Sequence, residues 1–121
     1  GLDPIYDYSY ADAQTDDLQA TMIVYPNETV TLDSMWVNTT TTDGYQYIDP
    51  SAVNLRDDDY NILNDWTMEG ASSTSNYNYY YATVDDILTL MGINILAGDE
   101  VWLKVISKEG YEHERKVNLR D

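Results

Sequence analysis

Glu100-Val101-Trp102-Leu103-Lys104-Val105-Ile106-Ser107, then Lys108-Glu109-Gly110, then Tyr111-Glu112-His113-Glu114-Arg115-Lys116-Val117-Asn118-Leu119 is an alternation broken once by a turn. Successive side chains of a strand point to opposite faces, so Val101, Leu103 and Val105 fall together on one side. On the return Tyr111, His113, Arg115, Val117 and Leu119 share a parity. Gly110 supplies the positive φ that a tight connection between antiparallel strands needs. The segment predicts a β-hairpin, with the preceding turn at Gly98-Asp99.

Working outward, the same texture recurs in short bursts. Leu18–Tyr25 is apolar and β-branched and stops at the turn signal Pro26-Asn27. Thr29–Asn38 follows, with Val30, Leu32 and Trp36 on one parity and Met35 and Val37 on the other. Asp33-Ser34 between them predicts a bulge. These two strands are expected to form a hairpin through Pro26-Asn27-Glu28. Thr39–Gly44 reads as a loop. Tyr45–Ile48, Ala52–Leu55, Tyr60–Leu63 and Trp66–Met68 read as further short strands, Gly70–Asn78 as a small-polar loop, and Tyr79–Val84 as a strand. Thr83–Met91 fits a short helix, with Thr83 as N-cap, Asp86 closing a capping box and Gly92 at C′, and fits a strand equally well. Regularly spaced short strands point to a sandwich or barrel. The expectation is one all-β antiparallel β-sandwich domain over residues 18–121, with at most one short helix. Residues 1–17, acidic and without periodicity, read as an N-terminal linker or stalk segment.

Composition narrows the function. The 121 residues carry 22 Asp+Glu against six Lys+Arg, a formal charge of −16. Residues 1–103 hold 18 acids and a single base, Arg56, whereas residues 104–121 hold five bases and four acids. Such a field repels nucleic acid and anionic lipid and favours cations or a basic partner. With no cysteine and one histidine, thiolate chemistry and the common zinc, copper and iron sites are excluded. His113 lies in mid-strand between two glutamates. The sequence has no nucleophile elbow, phosphate loop or dinucleotide fingerprint, so the chain reads as non-catalytic. No apolar run is long enough to span a bilayer, so no direct membrane contact by this chain is expected.

Three features invite ligands. Asp57, Asp59 and Asn61 match the opening of a calcium loop. Ile62 then stands where glycine is needed and Met68 where the closing glutamate belongs, leaving a solvated acidic turn and a structural calcium as alternatives. Twelve tyrosines and three tryptophans, with no phenylalanine, suit half-buried sheet faces and wet contact surfaces. Tyr77, Tyr79 and Tyr81 would share one face with Tyr80 opposite; together with Trp36 and Trp66 they suggest either core or a sugar platform. Two N-glycosylation sequons, beginning at Asn27 and Asn38, point outside the cytoplasm.

Ala97-Gly98-Asp99-Glu100-Val101-Trp102-Leu103-Lys104-Val105-Ile106, the Lys108-Glu109-Gly110-Tyr111 turn, the closing strand, and Ile48-Asp49-Pro50-Ser51-Ala52-Val53-Asn54-Leu55-Arg56-Asp57 resemble the head domains of archaeal type IV pilin-like proteins. These include archaellins and the sandwich-shaped stator subunits of the archaellum. The resemblance implies an immunoglobulin-like sandwich in a cell-surface filament or its anchoring, held by an N-terminal apolar segment preceding this sequence, with no active-site residues. It implies as partner an identical subunit or another envelope or filament protein. Lys104, Arg115 and Lys116 are then the candidate basic contact, and Tyr79, Tyr81, Trp36 and Trp66 the candidate apolar contacts. The alternative expectation is a carbohydrate-binding or adhesive surface module with structural calcium.

Overall fold

The computed structural model describes residues 8–12, 19–39, 43–70, 78–84 and 100–120. Among the described residues are nine strands and one 3₁₀ turn: β1 (Tyr8–Asp12), β2 (Gln19–Val24), β3 (Val30–Thr39), β4 (Gln46–Tyr47), the turn Pro50–Ala52, β5 (Val53–Arg56), β6 (Thr67–Met68), β7 (Tyr80–Val84), β8 (Val101–Ser107) and β9 (Glu112–Arg120). The hydrogen-bonded order is β4-β3-β8-β9-β1-β2-β7-β5, with β6 paired to β3. This order folds into two sheets, β4-β3-β8-β9 and β1-β2-β7-β5. Strand β9 joins them, pairing antiparallel with β8 along its first half and parallel with β1 at Asn118–Arg120. The fold is an all-β, mostly antiparallel sandwich.

The expected β8–β9 hairpin is present, registered Val101 opposite Val117 through Ile106 opposite Glu112. Val101, Leu103 and Val105 are completely buried. They meet Met22 and Val24 of β2, Leu55 of β5, and Ala82 and Val84 of β7 in one apolar core. The predicted bulge also occurs, since the β3–β8 register slips between Leu32 and Ser34. That slip reconciles the two parities of β3. Val30 and Leu32 face the core before it, Met35 and Val37 after it, and Trp36 is turned out onto the sheet's outer face.

Four expectations are corrected. The β2–β3 hairpin does not form, because β2 pairs with β1 and β7 while β3 pairs with β8, β4 and β6. The chain between them crosses from one sheet to the other. Residues 8–12, expected within a stalk, form β1 and pair on both sides. Tyr60–Leu63 is no strand and contributes only an isolated bridge, Ile62 to Arg56. Thr83 does not cap a helix. It lies in β7 opposite Thr21 and Asn54, and its hydroxyl meets that of Thr21 at 2.9 Å, so two buried polar groups satisfy each other. The rest of the proposed helix, the Gly98-Asp99 turn and Tyr77 lie outside the described residues.

The open side of the sandwich is closed by residues 57–68. The Leu63 amide donates to the Leu55 carbonyl of β5 at 2.8 Å, and the Leu32 amide of β3 donates to the Trp66 carbonyl at 2.8 Å. β6 then pairs with the start of β3, Val30 opposite Met68. Gly70 follows so closely that a Cβ there would lie 2.5 Å from Glu28 Cα and 2.6 Å from its nitrogen. Gly110, with φ +94°, has open space around its missing Cβ. Gly70→Ala is therefore expected to cost about 2–3 kcal/mol through forced backbone displacement, and Gly110→Ala only about 1 kcal/mol for the left-handed conformation. Urea unfolding midpoints of the two variants check this order.

Candidate functional site

Strand register assembles an aromatic and charged row on each outer face. Across the first sheet Tyr47 lies opposite Trp36, Trp36 opposite Lys104, and Lys104 opposite Glu114. The Tyr47 and Trp36 rings meet edge to face at 5.3 Å. The Lys104 ammonium lies over the Tyr45 ring at 4.3 Å and the Trp36 ring at 5.7 Å, within reach of a cation–π attraction. Tyr45 donates its hydroxyl to Glu114 Oε2 at 2.5 Å, and Trp36 Nε1 donates to Ser34 Oγ at 2.9 Å. Burial, then the bonded Glu114 carboxylate, hold the Tyr45 phenol well above the usual tyrosine range.

The second row crosses β2, β7 and β5, where Ile23 and Arg56 flank Tyr81 on its two sides. Tyr60 stacks on Tyr81 at 5.5 Å, and Arg56 lies 4.7 Å from the Tyr60 ring centre. Tyr79 meets Tyr81 edge to face at 5.7 Å, and Tyr25 meets Tyr79 at 5.5 Å. Tyr80, of opposite parity, is buried. Burial pushes its phenol up, while its hydroxyl oxygen accepts the Glu69 amide at 2.9 Å.

The acidic turn that positions Tyr60 is held by its own first residue. Asp57 Oδ1 accepts the amides of Asp59 at 3.0 Å and Asn61 at 2.8 Å. The Asp57 amide donates to the Asn61 carbonyl at 2.9 Å, and Asn61 Nδ2 points at Asp57 Oδ2 at 3.5 Å. Capture of the backbone by Asp57 bends the chain away from a strand and places Tyr60 at φ +69°. Asp57, Asp59 and Asn61 are thus together, but as a hydrogen-bonded turn. Among the described residues no group of three or more acidic or histidine side chains is arranged to hold a metal ion. Beside the turn an open pocket of about 280 Å³ is lined by Asp57, Leu63, Asp65, Thr67, Glu69 and Tyr80. Asp65 spends one oxygen on the Thr67 amide at 3.1 Å.

The three candidate basic residues do not share one face. Lys116 pairs with Glu100 at 3.2 Å, and Lys104 is folded onto aromatic rings. Arg115 is registered opposite Leu103, on the other face of the hairpin from Lys104 and Lys116. Trp66 is partly buried against the core with φ +58°. Asn27 is exposed in the β2–β3 connection, and Asn38 is half-buried in β3 opposite Trp102. His113 sits in β9 opposite Val105. Sequence reading missed Tyr25, Tyr45, Tyr47, Arg56, Tyr60 and Glu114. The Tyr45-Gln46-Tyr47 spacing signalled one paired face, but its partners depended on register across the sheet.

No family model matches the chain, and searches of curated proteins and of solved structures find no significant relative. Among the described residues no helix is long and apolar enough to cross a membrane.

Both raised phenols remain neutral above pH 10, where unfolded tyrosines ionise. Their contribution to stability is complete below that pH and is lost as pH rises through the raised values. Alkaline titration of tyrosinate absorbance is expected to show late-ionising phenols that unfold the domain as they ionise. Tyr45→Phe and Tyr80→Phe should each remove one.

Proposed function

We propose that this chain is a non-catalytic structural and interaction domain of a cell-surface filament or an envelope-anchored protein, of the archaeal pilin-like kind that its C-terminal half resembles. Its residence is then outside the cytoplasm. Support for an immunoglobulin-like version of the sandwich comes from strand order. One sheet in the order β1-β2-β7-β5 facing another in the order β4-β3-β8-β9 corresponds to the ABED and C′CFG arrangement of such domains.

The observation that carries the interaction reading is where large apolar side chains remain exposed. Tyr47 is 51% exposed, Tyr60 56% and Ile62 53%. Tyr47 lies on terminal strand β4, while Tyr60 and Ile62 lie on the segment bonded to terminal strand β5. All three sit on backbone fixed by ladder or turn hydrogen bonds, so a partner would order little on binding. Identical subunits are the partner we favour, with an envelope or filament neighbour as the other form of the same reading. A charge-led contact through Lys104, Arg115 and Lys116 has less support, since Lys104 and Lys116 face their own chain's rings and carboxylate.

Carbohydrate binding, with or without calcium, is less well supported. Sugar faces need open aromatic rings. Trp36 and Tyr45 lie under Lys104, and Tyr81 is stacked on Tyr60.

Light-scattering mass across protein concentration tests the assembly reading. Concentration-dependent oligomers that persist at high salt are expected, because the contact is apolar and long-range charge is screened. Tyr60→Ser with Ile62→Ser should return the chain to monomer. A strict monomer at every concentration and salt would overturn the subunit contact.

A further inference from the structure

Two sequons stand in this chain, Asn27-Glu28-Thr29 and Asn38-Thr39-Thr40, and the fold treats them differently. Asn27, Glu28 and Thr29 are all exposed. They lie between the end of β2 at Val24 and the start of β3 at Val30, where the chain crosses from one sheet to the other. Pro26 is buried immediately before them, and the backbone of Glu28, the middle residue of the sequon, rests against Gly70. The loop is therefore held at Pro26 and at the Glu28 backbone, and the Glu28 side chain bonds to Tyr111, while Asn27 and Thr29 remain exposed. None of the three belongs to a strand, so an enzyme that binds the sequon breaks no ladder hydrogen bond.

Asn38 has the opposite setting. It is half-buried in the ten-residue strand β3, registered opposite Trp102 of β8. Thr39, the next residue, is buried at 6% exposure and pairs with Val101. Seating this sequon in an enzyme cleft requires peeling the end of β3 from β8. Opening a buried, paired strand end costs free energy that binding at the exposed, unpaired Asn27 loop does not.

We propose that Asn27, and not Asn38, is the attachment site for an N-linked glycan on the folded chain. The donor class is a lipid-linked oligosaccharide (phosphate or pyrophosphate). A bond forms between the Asn27 carboxamide nitrogen and the anomeric carbon of the first sugar. The bond from that carbon to the lipid phosphate oxygen breaks, the amide loses one proton, and the lipid phosphate leaves with the bonding electron pair. No redox partner is required. Cell-surface residence, the reading given above, decides only whether a living cell presents the chain to such an enzyme.

The test uses the folded full chain, an oligosaccharyltransferase that modifies a control Asn-x-Thr peptide, and its lipid-linked oligosaccharide, with intact mass and peptide mapping as readout. One glycan per chain is expected, mapped to Asn27. N27Q should abolish it and N38Q should leave it unchanged. Occupancy of Asn38 should be at least about tenfold lower in the folded chain and should rise after urea unfolding. A folded chain left unmodified at Asn27 overturns the proposal, as does a folded chain modified equally at Asn38. Because the assay is carried out in vitro, its failure would bear on the acceptor site alone, while the light-scattering mass separately decides the assembly reading.

Discussion

The structure depends on closure of the sandwich's open side by residues 57–68. At one edge β5 would present unpaired backbone groups, and at the other β3 would do the same around Leu32. A strand edge left bare is a template for unwanted pairing. Here Leu63 is bonded to Leu55 and the Trp66 carbonyl to Leu32, so one short segment stitches the two sheets together. The opposite side is joined by β9, which leaves β8 and continues alongside β1. Closure requires the segment to turn sharply twice, and Tyr60 and Trp66 both occupy the left-handed region to do so. Non-glycine residues pay for that conformation, and it persists where surrounding contacts over-determine it. For Tyr60 these are the Asp57 turn, the Tyr81 ring and Arg56. For Trp66 they are core packing and the Leu32 amide.

Two of the six cations of this acidic chain brace aromatic rings, one of them on the closing segment. Arg56, the one base before residue 104, lies over Tyr60. Lys104 holds Trp36 and Tyr45 on the opposite sheet. Each attraction contributes on the order of 0.5–1 kcal/mol at such partly exposed sites. Their larger effect is geometric, because they fix rings across neighbouring strands. What is left outside is an acidic surface with a small number of rigidly held apolar residues at its margins. That combination suits a domain that keeps its shape while contacting neighbours, which is why the interaction reading is favoured over a binding cleft.

The sequence made the core legible where period and position coincide. Val101, Leu103 and Val105 alternate in the chain and are fully buried in the fold, and Asp33-Ser34 marked the bulge that lets both parities of β3 reach the core. Connectivity was harder to read. Pro26-Asn27-Glu28 has turn chemistry, but whether the chain doubles back or crosses to the other sheet depends on which edges are available, and that is set by β1, β7 and β8. Local chemistry misled at Tyr60–Leu63, where apolar content suggested a strand. Asp57 instead captures two amides and bends the chain. The same carboxylate suggested calcium, since oxygen ligands at alternate positions serve a cation or a backbone turn equally well. The basic hairpin was legible as charge but not as a surface. Lys104 and Arg115 fall on opposite faces, and the rings and carboxylates facing Lys104 and Lys116 are distant in sequence.

Native-state hydrogen exchange at the Leu63 and Leu32 amides tests the closure most directly. If residues 57–68 lock the sandwich, both amides exchange only through global unfolding, with protection equal to that of Leu103 in β8. Exchange of either amide at a rate far above that of Leu103, with the β8 amides still protected, would show that the segment opens independently and that the two sheets hold together without it.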